Sequence, residues 1–187
     1  GAEPAASHAA PAPMELDARW SAGAPEYAAL GGRLTNHAAS ALLSAVEPSH
    51  SRGRADDPAD GAFQAELLDL GCGDGALTAA AQALGWRATA VDVSPAMIAE
   101  ADKRRSAARF QIGDARALMV PSEAFDAAVA SFSLGECSEP AQAVREAARA
   151  LKPGGVFAAT VWIVDGAPFW GESSGDAPVK AAGPWVK

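Results

Sequence analysis

Between residues 62 and 162 the apolar positions follow two alternating periods. The short, nearly unbroken runs "AELLDL", "WRATAVDV", "ARFQIGD", "FDAAVASFSL" and "GGVFAATVW" read as five strands buried on both faces. Between them lie stretches with helical spacing. Gly75 to Leu84 forms one, closed by Gly85; "AMIAEADKRR" forms a second, with Ser94 as cap and Pro95 in the first position; "SEPAQAVREAARAL", capped at Ser138, forms a third. Strands alternating with helices imply parallel βαβ units. The expected fold class is therefore α/β, a doubly wound, mostly parallel sheet with helices on both faces.

The flanks are less regular. "ELDARWSAGAPEYAALGG" is a short helical stretch ending at Gly31 and Gly32. "RLTNHAASALLSAVEP" is a helix capped by Thr35 or Asn36, with Leu42, Leu43 and Val46 on its apolar side, that stops before Pro48. The polar "SHSRGRADDPADG" reads as a surface loop. Residues 1–14 form an Ala- and Pro-rich tail expected to be disordered, with Met14 offering itself as an original start. Residues 15–187 form a single domain: a helical segment over 15–48, the regular core over 62–162 and a short irregular tail over 163–187.

A chain of 187 residues with 49% in the hydrophobic set can bury one core, although much of that fraction is alanine. The formal charge of −8 argues against nucleic acid as the primary partner, because phosphate neutralisation needs a basic face. The two cysteines, Cys72 and Cys137, have neither a disulfide framework nor a metal-ligand spacing, so no metal is expected and a reducing compartment, the cytoplasm by default, is. No apolar run approaches the ~18 residues of a membrane span, and the opening residues lack the features of a secretory signal.

In a doubly wound sheet, ligands sit beyond the carboxyl ends of the strands, so those ends are read together. The first carries "DLGCGDG". Its three alternate glycines, Gly71, Gly73 and Gly75, suit a tight turn with positive φ that a ligand can approach closely. The second ends at Asp92, about 20 residues after the turn, where a dinucleotide-type fold places the acid that receives ribose hydroxyls. Its side chain is expected to be partly exposed. At the third, Asp114 can accept an exocyclic amine of an adenine while Val93 and Ala115 offer apolar contact to the ring. A nicotinamide cofactor fits less well: the spacing is G-x-G-x-G rather than G-x-G-x-x-G, and Asp69 before the turn would repel a pyrophosphate.

The segments "LLDLGCGDG", "VDVSPAMI", "IGDARAL", "FDAAVASFSL" and "EAARALKPGGVFAATVW" resemble, in order and spacing, the motifs of class I S-adenosylmethionine-dependent methyltransferases, which are Rossmann-like. They are most similar to the small-molecule group that includes the ubiquinone and menaquinone biosynthesis enzymes. The resemblance covers about Leu67 to Trp162. It implies methyl transfer to a small-molecule acceptor, with S-adenosylmethionine as cofactor and S-adenosylhomocysteine as product. Asp69, Gly71, Cys72 and Gly73 would hold the methionine end, Asp92 the ribose, Val93, Asp114 and Ala115 the adenine, and Ser131 with Phe132 the edge nearest the sulfonium. Trp20 and Tyr27 would fold over the cofactor.

No universal catalytic residue is implied. A base would help an enolic or hydroxyl acceptor, and His37 and Glu136 are the candidates. Phe169 and Trp170 are candidates for an acceptor pocket or for simple apolar cover. Lys103, Arg104 and Arg105 read as a solvated helix terminus. The family continues past the fifth strand with a helix and an antiparallel strand pair, and the tail here is too rich in Gly and Pro for them. An open edge at "VFAATVW", covered loosely by Val164, Phe169, Trp170 and Trp185, is expected, with self-association as its consequence. A truncated or degenerate member that binds cofactor or a partner without turnover is the alternative reading.

Overall fold

A computed structural model of the chain describes residues 13–31, 37–47, 65–164, 167–168 and 185–186. The five apolar runs form β1 (Glu66–Leu70), β2 (Arg87–Asp92), β3 (Arg109–Ile112), β4 (Phe125–Ser131) and β5 (Leu151–Thr160). They pair in parallel in the order β3-β2-β1-β4-β5. The chain thus winds from the central β1 to one edge and then returns to the other side. The reversal falls between β1 and β4, and their carboxyl ends open the crevice where such sheets bind ligands.

The helices of the core are α3 (Ala76–Ala83), α4 (Pro95–Asp102) and α5 (Pro140–Ala150). Before them come α1 (Pro13–Glu26), a π-helical turn over Tyr27–Gly31 and α2 (Ala39–Ala45). Alternate residues of β1 serve opposite faces of the sheet. Leu68 and Leu70 pack with Ala143, Ala147 and Ala150 of α5, whereas Leu67 packs with Leu77 and Ala81 of α3 and Leu42 and Leu43 of α2. The abundant alanines are what let α5 lie against the strands: Ala143, Ala147 and Ala150 are all fully buried. Among the described residues no helix is long and apolar enough to cross a membrane.

Several local expectations need correction. Ser94 caps α4 as expected, its Oγ accepting the Met97 N–H at 3.3 Å. The N-cap position of α5 is Glu139 rather than Ser138 and carries no side-chain cap bond, while the Ser138 hydroxyl accepts from the Arg116 guanidinium. Thr35 and Asn36 lie outside the described residues, and α2 begins after Ala38 with no side-chain cap. The fifth strand starts at Leu151, and its register against β4 shifts between Phe125 and Ala127, which absorbs the turn residues of "LKPGG".

The tail also departs from expectation. β6 (Ile163–Val164) and β7 (Ala167–Pro168) form a short antiparallel ladder, and β8 (Trp185–Val186) pairs antiparallel with β5 at Phe157 and Val156. The tail therefore contributes antiparallel pairing where none was expected, and the edge of β5 is covered at those two residues. An edge strand offers a row of donors and acceptors, and Trp-Val is a strand-forming pair able to use them. Phe169 and Trp170 lie outside the described residues.

Candidate functional site

At the carboxyl end of β1 the chain turns through Gly71, Gly73 and Gly75 at φ of +68°, +54° and +73°. At Gly71 a Cβ would fall 2.4 Å from that of Ser133, so no larger residue fits. The turn wraps the end of β2: the N–H groups of Gly71 and Cys72 donate to the Val91 carbonyl at 2.7 and 3.1 Å. Gly73 donates to Asp92 Oδ2 at 2.8 Å, and Gly75 to the Cys72 carbonyl at 3.0 Å. Those four N–H groups are spent inside the protein. The turn is consequently poor at gripping a phosphate, which needs free N–H donors, and better suited to a cation that takes acceptors.

Asp69 supplies an acceptor of that kind. It is 1% exposed; Oδ2 accepts the Thr78 hydroxyl at 2.6 Å, while Oδ1 is buried with no hydrogen-bond partner among the described residues. Burial pushes its pKa up to about 7, against the Thr78 bond and with help from the nearby Asp92. Asp69, Cys72 and Gly71 bound a small cavity of about 20 Å³ that Tyr27 and Ser131 close. The Cys72 thiol is buried there, and burial beside Asp69 and Asp92 pushes its pKa well up.

Gly71, Tyr27 and Ser131 are shared with a larger cavity of about 330 Å³, within the range of small-molecule sites. Asp92, Val93, Asp114 and Ala115 line one side of it, and Ser131 and Phe132 the other. Asp92 is 9% exposed rather than partly open, because its carboxylate accepts from Gly73 and, at 2.9 Å, from the Ser94 N–H. Trp20 and Tyr27 reach the cavity from α1 and the π-helical turn, with rings in T-shaped contact at 5.5 Å.

Asp114 is on the wall, but Arg116 engages both of its oxygens. Arg116 Nε lies 3.0 Å from each, and Nη2 lies 2.6 Å from Oδ2. These bonds hold the Asp114 carboxyl below the usual carboxylate range. Of the two candidate bases, Glu136 lines the cavity from the 3₁₀ turn Leu134–Glu136; His37 is exposed and lies off the wall. Beside Glu136, burial pushes the Cys137 thiol up to about 11. Among the described residues no cluster of His, Cys, Asp and Glu is arranged to hold a metal.

Three wall or support residues are not legible as such in the sequence reading. Trp162 follows the end of β5 and stacks on Phe132 with centroids 4.3 Å apart; reading the fifth strand end like the first four would have found it. Arg116 follows Asp114 by two residues, a spacing at which a side chain folds back on an Asx-type turn. Arg104 is exposed at the helix terminus but also tied inward: its Nε donates to the Asp74 carbonyl at 2.5 Å and its Nη2 pairs with the buried Asp74 carboxylate, linking α4 to the glycine turn.

Comparison with known proteins adds the following. The family described as "Methyltransferase domain" matches residues 68–159. The chain is 35% identical over 104 residues to the malonyl-[acyl-carrier protein] O-methyltransferase of Enterobacter lignolyticus, covering 56% of this chain and 41% of that one. It is 36% identical over 89 residues to the demethylmenaquinone methyltransferase of Renibacterium salmoninarum, covering 48% and 38%. The chain thus spans less than half the length of these curated relatives. Among solved structures, the [4+2]-cyclase SpnF is similar at a TM-score of 0.66 with 25% identity, covering 80% of this chain and 60% of that one.

Proposed function

We propose that the chain is a class I S-adenosylmethionine-dependent methyltransferase that transfers a methyl group to a small-molecule acceptor. S-adenosylmethionine, when bound, supplies an activated methyl group on a sulfonium, carried between an α-amino acid and an adenosine. The observation that carries the reading is the lone buried Oδ1 of Asp69 beside a turn whose N–H groups are already used. An ammonium there would satisfy an acceptor that otherwise costs about 1–3 kcal/mol to leave bare.

The remaining residues fit in order along the cavity. Asp92, whose carboxylate accepts from Gly73 and Ser94, lines the cavity on the side where ribose hydroxyls would lie. Val93 and Ala115 line the cavity where they would contact an adenine ring, and Asp114, set by Arg116, would meet its polar edge. Trp20 and Tyr27 exclude water from above. Orientation and desolvation supply much of the rate of an in-line displacement. Glu136 lines the cavity and would be the base that takes a proton from a hydroxyl or enolic acceptor.

The small-molecule acceptor draws support from the relatives, whose names specify a malonyl carrier-protein conjugate and demethylmenaquinone. The net charge of −8 favours the same reading over nucleic acid. The likeness to SpnF, named as a [4+2]-cyclase, keeps open a second reading in which the cavity serves chemistry other than methyl transfer. A panel of phenolic, enolic and carboxylic acceptors incubated with methyl-labelled cofactor tests the proposal. Transfer to one acceptor class, abolished by Asp92→Ala, is expected; cofactor binding with no transfer to any would favour the second reading.

A further inference from the structure

Asp74 stands in the glycine turn with 5% of its side chain exposed, and it lines the small cavity beside Asp69. Its Oδ1 accepts the Ala76 N–H at 3.3 Å, a bond that an uncharged asparagine would make equally well. A buried charge needs a partner, and here the partner lies 30 residues away: Arg104 Nε donates to the Asp74 carbonyl at 2.5 Å while Nη2 pairs with Oδ2. One guanidinium thus holds both the backbone and the side chain of a single turn residue. The neighbouring Gly75 packs against the same helix, since a Cβ there would fall 2.9 Å from that of Ala101. A buried ion pair is seldom a net gain in stability over neutral groups, because desolvation offsets the attraction. What this pair supplies is a fixed position of the turn relative to α4.

We propose that Arg104 is a positioning residue for the ligand: by gripping Asp74 at two points it holds the turn and draws the Asp74 carboxylate toward α4, so that Asp69 is the carboxylate offered to an ammonium in the small cavity. This rests on the reading given above, in which the ammonium of the cofactor meets Asp69. The cavity measures only about 20 Å³, so a small displacement of the turn closes or misaligns it. Arg104 itself lines neither of the two cavities and acts through Asp74. Its influence falls on the amino-acid end of the ligand. The adenosine end, whose walls follow β2 and β3 and whose Asp92 is anchored also at Ser94, is largely spared. The positive charge of Arg104 acts the other way, against a nearby ammonium; with the guanidinium 36% exposed that repulsion is screened, and the grip on the turn outweighs it.

Calorimetry on the full chain compares S-adenosylhomocysteine with 5′-methylthioadenosine, which shares its adenosine and thioether sulfur but lacks the amino acid. Arg104→Gln, a change at a partly exposed position, should lower S-adenosylhomocysteine affinity about tenfold and methylthioadenosine affinity less than about threefold. Arg104→Lys keeps the charge but cannot reach the carbonyl and the carboxylate together, and should recover only part of the loss. In an Asp74→Asn background, Arg104→Gln should cost less than about threefold, because the grip is already broken. Equal weakening of both ligands would mark a merely structural role and overturn the proposal. An unchanged or raised S-adenosylhomocysteine affinity in Arg104→Gln would overturn it too, as would an Arg104→Lys variant as tight as the wild type, which would leave charge alone responsible. Should the wild type bind neither ligand, the cofactor reading itself fails and the role of Arg104 falls with it; binding of both with an unaltered ratio in Arg104→Gln defeats the role of Arg104 alone.

Discussion

The N–H of Gly73 donates to Oδ2 of Asp92 at 2.8 Å, so the middle glycine of the turn after β1 and the acid that ends β2 form one unit. The same carboxylate takes the Ser94 N–H at 2.9 Å and thereby fixes the start of α4. Asp92 is accordingly part of the scaffold as well as of the proposed ribose side of the site. Asp92→Ala should cost about 3 kcal/mol of stability, since bonds to a charged acceptor contribute about 1.5–3 kcal/mol each. It should also weaken S-adenosylhomocysteine binding more than tenfold. Denaturant unfolding beside calorimetry measures both, and an unchanged stability would mean that the turn does not lean on this residue.

Asp69 gives the free protein a pH dependence. Its pKa rises from 3.8 in the unfolded chain to about 7 in the fold, chiefly through burial, so the folded state holds the proton more tightly. Its contribution to stability is fully present below about pH 4 and is lost as pH rises through about 7. Relative to Asp69→Asn, which stays neutral, the wild type should lose a few kcal/mol between about pH 5 and pH 8. Parallel unfolding curves of the two proteins across that range would show instead that Asp69 ionises normally.

The three glycines of the turn should not respond alike to alanine. At Gly71 a Cβ meets Ser133 Cβ at 2.4 Å, whereas at Gly73 the nearest atom is Tyr27 Cε1 at 3.5 Å. Both residues have positive φ, so both substitutions carry the ~1–2 kcal/mol of left-handed backbone. Gly71→Ala adds a collision and should be the more damaging by about 2 kcal/mol, within the range for overpacking. Combining it with Ser133→Gly should recover part of that difference. Equal losses in thermal melts of Gly71→Ala and Gly73→Ala would contradict the packing described.

The β5 edge offers a local check. Hydrogen exchange should find the edge-facing amides near Val156 and Phe157, where Trp185–Val186 pairs, better protected than those near Thr160. Uniformly fast exchange along β5 would show that the pairing does not persist in solution.

The sheet was legible because its strands are continuous apolar runs punctuated by Gly, Pro and Ser, and Ser94 with Pro95 marks a helix start without ambiguity. The glycine turn, Asp92 and Asp114 were legible because a doubly wound sheet brings strand ends together, and strand ends can be counted. What escaped depends on contacts between segments distant in sequence. Arg104 reaches Asp74 across 30 residues and Arg116 reaches Ser138 across 22, and no local pattern announces either. The exposure of Asp92 was misjudged for the same reason: its carboxylate is covered by the turn it supports. In the tail, a two-residue strand pairs with β5 through backbone groups, which leave no trace in a hydropathy pattern.

Asp69 and the glycine turn are proposed to receive the ammonium of an S-adenosylmethionine-type ligand. Calorimetric titration of S-adenosylhomocysteine near pH 6, repeated in buffers of different ionisation enthalpy, tests it most directly. Because Asp69 has a pKa of about 7 in the free protein, binding should force it to ionise and release most of one proton, tightening as pH rises through about 7. Asp69→Asn should bind at least tenfold more weakly and release none, and NAD should not bind. Tight binding of S-adenosylhomocysteine with no proton release and no effect of Asp69→Asn, or binding of NAD in its place, would contradict the account.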